Sequence, residues 1–137
     1  MKTKSVLSLT RRYGPALFML AVIPGLSLLP PRLFKPLAAA PQLPGADKLA
    51  HALLYAILTL TIFRALPAAV RGRWDAAFSI TAAATLYGLI MELCQRYLTS
   101  SRSFDMLDAT ANAAGALVCS AIACSLCRRT IRNSTAP

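Results

Sequence analysis

Acidic residues are scarce in this sequence, and charged residues of either sign are few. Only five of the 137 residues are aspartate or glutamate, and charged residues make up 15% of the chain. A soluble domain of this size needs a polar surface to cover its core, so the composition argues against one. Hydrophobic residues make up 56% of the chain, and the mean hydropathy is +0.54. A lipid bilayer is therefore the expected solvent.

A polar face rich in lysine and arginine is also lacking, although the formal net charge is +10. The basic residues stand mainly at the ends of apolar runs, where lysine and arginine flank membrane spans. We therefore expect membrane lipid, and no nucleic acid, as a partner.

Cysteine occurs four times, always within apolar segments, and this does not indicate a disulfide framework. Cys124 and Cys127 have the spacing of a redox or zinc pair. No second pair and no nearby histidine accompany them, so we interpret both as helix-packing residues.

Four apolar runs are near the length of about 20 helical residues that a bilayer requires. They predict spans at about 13–29, 47–66, 76–98 and 105–127. Each span should be an α-helix, because lipid offers no hydrogen-bond partners to the backbone. The expected fold is all-α, an integral membrane bundle of four transmembrane helices.

The predicted domain organisation follows from these runs. A basic N-terminus at 1–12 precedes the four-helix membrane domain at 13–127, and a basic tail occupies 128–137. A cleaved signal peptide is the alternative interpretation of the first run. We favour a retained anchor, because the long segment after it is charged and rich in proline.

The distribution of basic residues predicts the orientation. With both termini in the cytoplasm, ten lysines and arginines lie on the cytoplasmic side and five on the other. This bias is typical of multi-pass proteins of the cytoplasmic (inner) membrane. Four of the five acidic residues then fall at the outer ends of the second, third and fourth spans.

Polar side chains recur at helical spacing near those outer ends. The residues concerned are Asp47, Lys48, His51, Tyr55, Glu92, Gln95, Asp105, Asp108 and Asn112. A charge facing lipid costs a few kcal/mol, so the cheaper arrangement points these groups at one another. We expect a shared polar cavity, open to the outside, formed by His51, Glu92, Asp108 and Asn112, with Arg102 as the counter-charge.

The same residues resemble a known pattern. The segments "DK-x-x-H-x-x-x-Y" at 47–55, "E-x-x-Q" at 92–95 and "R-S-x-D-x-x-D-x-x-x-N-x-x-G" at 102–115 are similar to those of VanZ-like membrane proteins. The resemblance covers roughly residues 45–120. The family is named for a protein linked to resistance against the glycopeptide teicoplanin, and no agreed biochemical activity comes with the name.

What the resemblance implies is a set of site residues rather than a reaction. The set comprises Asp47, Lys48, His51, Tyr55, Glu92, Gln95, Arg102, Asp108, Asn112 and Gly115. The chain departs from the pattern at Ala52, Arg96, Thr99-Ser100 and Cys119.

Structural interpretations stand beside the functional ones. Asp47 and Asp105 each begin a predicted helix and are suited to cap it. Gly115 is most simply a close contact between helices, and Tyr55 a core aromatic residue. His51 and Glu92 are either functional residues or structural residues that hold neighbouring helices together through an ion pair. Glu92 is the strongest functional candidate, because a glutamate inside an apolar span is functional by default.

Three functions remain open at this point. The first is a cell-envelope role without chemistry, in which the polar cavity binds a lipid-linked wall or polysaccharide intermediate, or a partner protein, and influences glycopeptide susceptibility. The second is a membrane enzyme acting on such an intermediate, with His51 as general base. The third is a proton-relaying transporter subunit, which would need to form a homo-oligomer.

We prefer the envelope role without chemistry. The sequence contains no nucleophile elbow, phosphate loop or H-E-x-x-H motif. One histidine with scattered carboxylates is a weak metal signal, so neither a metal nor another cofactor is expected.

Overall fold

The computed structural model describes residues 2–29, 44–99 and 104–134 of the chain, and the regular structure within these ranges is helical. Its helices are α1 (Lys2–Leu28), α2 (Ala46–Ala65), α3 (Ala68–Arg71), α4 (Trp74–Leu98) and α5 (Met106–Ser134). The predicted all-α class is confirmed.

Three of these helices are long and apolar enough to cross a membrane. They are α2, α4 and residues Met106–Asn133 of α5, with mean hydropathies of 1.4, 1.5 and 1.6. Large apolar side chains such as Leu53, Leu86 and Ile122 remain more than half exposed on the outside of the bundle. An outer surface of this kind suits lipid, and the chain is a membrane protein with at least these three candidate spans.

The second, third and fourth predicted spans begin within two residues of α2, α4 and α5. The segment between the second and third predicted spans contains the short helix α3, which the sequence did not predict. Helix α5 also continues without a break to Ser134, beyond the predicted end of the membrane domain at residue 127.

The first predicted span differs more from the structure. Helix α1 begins at Lys2 rather than at residue 13 and continues through Pro15 and Pro24. Helix α1 is not among the three helices that are long and apolar enough to cross a membrane.

Helix α1 nevertheless packs along the bundle. Near one end, Arg12 Nε donates a hydrogen bond of 2.7 Å to the carbonyl oxygen of Ala65 at the end of α2. Near the other end, Gln95 Nε2 in α4 donates to the carbonyl oxygen of Ser27 at 3.2 Å. Helix α1 therefore runs antiparallel to α2 and parallel to α4.

The bundle interior has two apolar clusters. One gathers Ile23, Tyr55, Leu58 and Ala116 with other buried side chains around the middle of the bundle. The second contains Phe63, Ala77, Ile80 and Cys124, with Cys127 packed against it. Both cysteines of the C-x-x-C segment thus contribute to helix packing, as the sequence predicts.

Candidate functional site

The polar residues of α2, α4 and α5 meet at one end of the bundle. Lys48 lies at its mouth, where its Nζ is 2.7 Å from Asp47 Oδ2, 3.1 Å from Asp108 Oδ1 and 3.5 Å from Asp105 Oδ2. The lysine side chain is about one-third exposed. It therefore joins the first turn of α2 to the start of α5 while staying in contact with the surface.

His51 lies one turn deeper than Lys48 and contacts both other helices. Its Nδ1 is 3.1 Å from Asn112 Oδ1 and 3.9 Å from Glu92 Oε1, and its Nε2 is 3.6 Å from Asp108 Oδ2. The side chains of His51 and Asp108 are each 17% exposed. The structure therefore brings together His51, Glu92, Asp108 and Asn112, the four residues expected to share a cavity. We refer to these four residues as the inner cluster.

The floor of the inner cluster is fully buried. Glu92 and Asn112 are each 1% exposed. Glu92 Oε2 and Asn112 Nδ2 have no hydrogen-bond partner among the described residues. A buried polar atom without a partner is costly, so a bound group that paired with these two atoms would stabilise the site.

Gly88 makes room for this floor, and the sequence reasoning did not select it. It precedes Glu92 by one turn of α4. A Cβ atom built on Gly88 would lie 3.1 Å from Asn112 Cβ and 3.2 Å from Tyr55 Cε1. The available signal was a glycine inside an apolar helix, four residues before an ionisable residue, which indicates a close approach.

Tyr55 and Gln95 were also predicted as site residues. They border the inner cluster, but neither forms a hydrogen bond with its four residues among the described contacts. Tyr55 is buried one turn below His51, with its ring 6.2 Å from that of Tyr87. Its hydroxyl has no partner among the described residues. The Gln95 amide instead docks α1, through the hydrogen bond to Ser27.

Asp47 and Asp105, the aspartates near the starts of α2 and α5, have different roles. Asp105 Oδ1 accepts a 2.7 Å hydrogen bond from the Leu107 N–H, so Asp105 caps α5 as predicted. This bond lowers the pKa of the Asp105 carboxyl below its usual value. Asp47, in contrast, does not cap α2. The cap position is Gly45, with φ of +80°, and Asp47 lies inside the first turn and pairs with Lys48.

The expected counter-charge, Arg102, lies outside the described residues. Among the described residues, the cation in contact with the carboxylates is Lys48. A second cation, Arg96, is in the last turn of α4. Its guanidinium group lies 5.8 Å from the centre of the Tyr97 ring. Among the described residues, this end of the bundle holds four carboxylates and two cations, Lys48 and Arg96.

Gly115 holds α2 and α5 close together below the inner cluster. A Cβ on Gly115 would lie 2.7 Å from the carbonyl carbon of Ala52, a distance that real Cβ atoms do not adopt. The close-packing interpretation of Gly115 is therefore confirmed.

The opposite end of the bundle is basic. A cleft of about 690 Å³ lies between α3, the start of α4 and the end of α5, and its lining includes Arg73, Arg128, Arg129 and Arg132. The fifth acidic residue, Asp75, is also at this end and pairs with Arg73. Among the described residues, carboxylates therefore predominate at one end of the bundle and arginines at the other.

No protein-family model matches the chain, and no curated protein or solved structure matches it. The resemblance to VanZ-like proteins thus stays a prediction from the motifs. The function is therefore argued from the contacts and burial of the inner cluster.

Proposed function

We propose that this chain is a VanZ-like protein that spans the cytoplasmic membrane four times, with both termini in the cytoplasm. The docking of α1 along α2 and α4 supports the fourth crossing. The four arginines that line the cleft at the opposite end support the orientation, because basic residues favour the cytoplasmic side. In this arrangement the inner cluster opens to the outer face of the membrane.

The function that we propose is binding of the sugar headgroup of a lipid-linked wall or polysaccharide intermediate, without chemical conversion. The observation that carries this proposal is the convergence of His51, Glu92, Asp108 and Asn112 at a partly open mouth. A buried glutamate and a histidine within membrane spans lower the stability of the fold. A binding function would explain why the chain has them there.

The charge of the site favours a sugar over a bare phosphate. Sugar hydroxyls donate hydrogen bonds that carboxylates and amide oxygens accept. Among the described residues, a phosphate would meet the carboxylates of Asp47, Asp105, Asp108 and Glu92, and Lys48 is the cation in contact with three of them. Like charges at these distances repel by several kcal/mol in a medium of intermediate dielectric constant.

This role would link the protein to the cell envelope. A protein that holds a lipid-linked intermediate at the outer face changes the access of glycopeptide antibiotics and of wall enzymes to that intermediate. An envelope protein presenting hydroxyl or amino groups to the same mouth is the alternative partner.

The test uses the purified full chain in detergent and two probes, a polyprenyl-diphosphate-linked disaccharide and the same polyprenyl diphosphate without sugar. We expect the chain to bind the first more tightly, and Glu92→Gln or His51→Ala to remove the difference. Asp75→Asn, which removes a carboxylate at the opposite end, is the matched control. Equal binding of the two probes would contradict the proposal.

An assay in cells separates function from stability. In a deletion strain, Glu92→Ala and His51→Ala should fail to restore the envelope phenotype while the protein still accumulates in the membrane. If both variants are lost from the membrane, the inner cluster is structural.

A second candidate, an enzyme acting on the same intermediate, is favoured by one observation. His51, Glu92 and Asp108 each offer a ligand or acid–base atom, and these atoms lie within 4.8 Å of one another. In that case His51 would act as general base with a carboxylate partner. Conversion of the disaccharide probe during incubation with the wild-type chain, but not with Glu92→Gln, would favour this candidate.

A further inference from the structure

The three ionisable side chains of the inner cluster come from three different helices. His51 is on α2, Glu92 on α4 and Asp108 on α5, and one nitrogen or oxygen from each lies within 4.8 Å of the others. Two ligands of a tetrahedral ion with bonds of 2.0–2.2 Å are separated by about 3.3–3.6 Å. His51 Nε2 and Asp108 Oδ2, at 3.6 Å, are already close to that separation.

The hydrogen bond to Asn112 fixes which histidine nitrogen is available. Asn112 Oδ1 can only accept, so His51 Nδ1–H donates to it over 3.1 Å. The lone pair of the neutral ring is then on Nε2, which faces Asp108. A metal-binding histidine typically donates its other ring N–H to an oxygen in this way, which holds the ring in place.

The two carboxylates are also prepared for a cation. Lys48 contacts Oδ1 of Asp108 at 3.1 Å, so Oδ2 is left to face the histidine. Glu92 is 1% exposed, and its Oε2 has no hydrogen-bond partner among the described residues. Its other oxygen, Oε1, lies 3.9 Å from His51 Nδ1, on the ring whose Nε2 faces Asp108. A cation bound beside this buried carboxylate would offset the cost of burying its charge.

We propose that His51 Nε2, Asp108 Oδ2 and the Glu92 carboxylate bind one divalent transition-metal ion, of the class of Zn²⁺ or Mn²⁺. An imidazole nitrogen suits these ions, whereas Mg²⁺ and Ca²⁺ prefer oxygen ligands throughout. Three protein ligands leave at least one coordination position. Because His51 and Asp108 are partly exposed, that position faces the mouth.

The ion would change what the outer site accepts. It offsets part of the negative charge of the four carboxylates and offers a position to a hydroxyl or phosphate oxygen of a headgroup. This inference uses the residues of the proposed headgroup site but does not depend on headgroup binding. The two are measured separately, since the ion is titrated into the protein without any lipid-linked probe.

The experiment is a titration of Zn²⁺, Mn²⁺ and Mg²⁺ into the full chain, purified in detergent and stripped of metal with a chelator. We expect one equivalent of Zn²⁺ or Mn²⁺ to bind, more tightly than Mg²⁺, and to raise the midpoint of thermal unfolding. X-ray absorption of the bound ion should show one imidazole nitrogen, with oxygens for the remaining ligands.

Isosteric variants test the three ligands. Glu92→Gln, Asp108→Asn and His51→Gln should each weaken binding by more than about 100-fold. Asn112→Ala, which removes only the acceptor for Nδ1–H, should weaken it by about tenfold. Asp75→Asn at the opposite end should leave it unchanged.

Two results would overturn the inference. One is the absence of stoichiometric binding to the wild-type chain while its helical content and thermal transition are intact. The other is an affinity in Glu92→Gln equal to that of the wild type, or an equal preference for Mg²⁺. Circular dichroism of each variant, compared with the wild type, distinguishes loss of the site from loss of the fold.

Discussion

Gly88 of α4 and Asn112 of α5 lie so close that a Cβ atom on Gly88 would be 3.1 Å from Asn112 Cβ and 3.2 Å from Asn112 Nδ2. Asn112 in turn contacts His51 at 3.1 Å. The position of the only histidine in the chain therefore depends on a glycine that has no chemistry of its own.

Gly88→Ala should disturb the inner cluster through this contact. The added methyl group pushes Asn112 away from His51, so we expect an unfolding free energy lower by about 1 kcal/mol and an affinity for Zn²⁺ about tenfold lower. Denaturation in mixed micelles and metal titration measure the two effects. Gly25→Ala, which has nothing within 4 Å of the new Cβ, is the matched control. Equal results for the two variants would show that Gly88 has no positioning role.

Gly115→Ala should be more damaging to stability. Its Cβ would overlap the backbone carbonyl of Ala52, which cannot move without separating α2 from α5. We expect a loss of about 3 kcal/mol in unfolding free energy. Gly14→Ala, whose Cβ meets only Thr10 Cγ2 at 3.8 Å, corrects for the helix propensity of alanine. A Gly115→Ala protein as stable as the control would show that α2 and α5 do not pack this closely.

Lys48→Gln should strengthen cation binding. The Lys48 ammonium group contacts three carboxylates and competes with any other cation for the charge of Asp108. Its removal should raise the Zn²⁺ affinity by on the order of tenfold at low salt, and less at high salt. The measurement is the same titration at two ionic strengths. Arg96→Gln removes a cation in the last turn of α4 that lies over Tyr97, and it should have little effect.

Labelling of single cysteines tests the proposed topology. In a variant that lacks the four native cysteines, Ser101→Cys should react with a membrane-impermeant reagent from outside. Ser101 lies outside the described residues, in the segment between α4 and α5. Ala69→Cys in the exposed helix α3 should react only after lysis. The reverse pattern would place the inner cluster on the cytoplasmic side.

Tyr87→Phe tests the docking of α1. The Tyr87 hydroxyl donates a 2.8 Å hydrogen bond to the carbonyl oxygen of Leu20. Its loss should lower the unfolding free energy by about 0.6 kcal/mol, which is typical of side-chain hydrogen bonds in membrane bundles. Tyr97→Phe, at a side chain that is 75% exposed, should cost less. If both variants behave alike, α1 is not held by this bond.

Much of the architecture was predictable from the sequence because the bilayer imposes a simple rule on it. A segment in lipid must be helical and near a fixed length, so apolar runs give the class and the starts of α2, α4 and α5. Helix α1 was the exception. It begins eleven residues before the predicted span, because Lys2–Arg12 are compatible with a helix although they are incompatible with a bilayer.

The residues of the site were also predictable, since ionisable groups in an apolar helix are few and must face one another. The sequence alone therefore determined that His51, Glu92, Asp108 and Asn112 converge. Their individual contacts were decided by the tertiary structure. Gln95 turned to α1, Asp47 paired with Lys48 instead of capping α2, and Gly88 supplied the space beneath Asn112. Helical periodicity fixes which side of a helix a residue occupies, whereas hydrogen-bond partners depend on how closely neighbouring helices approach, and that distance is set only when all of them pack.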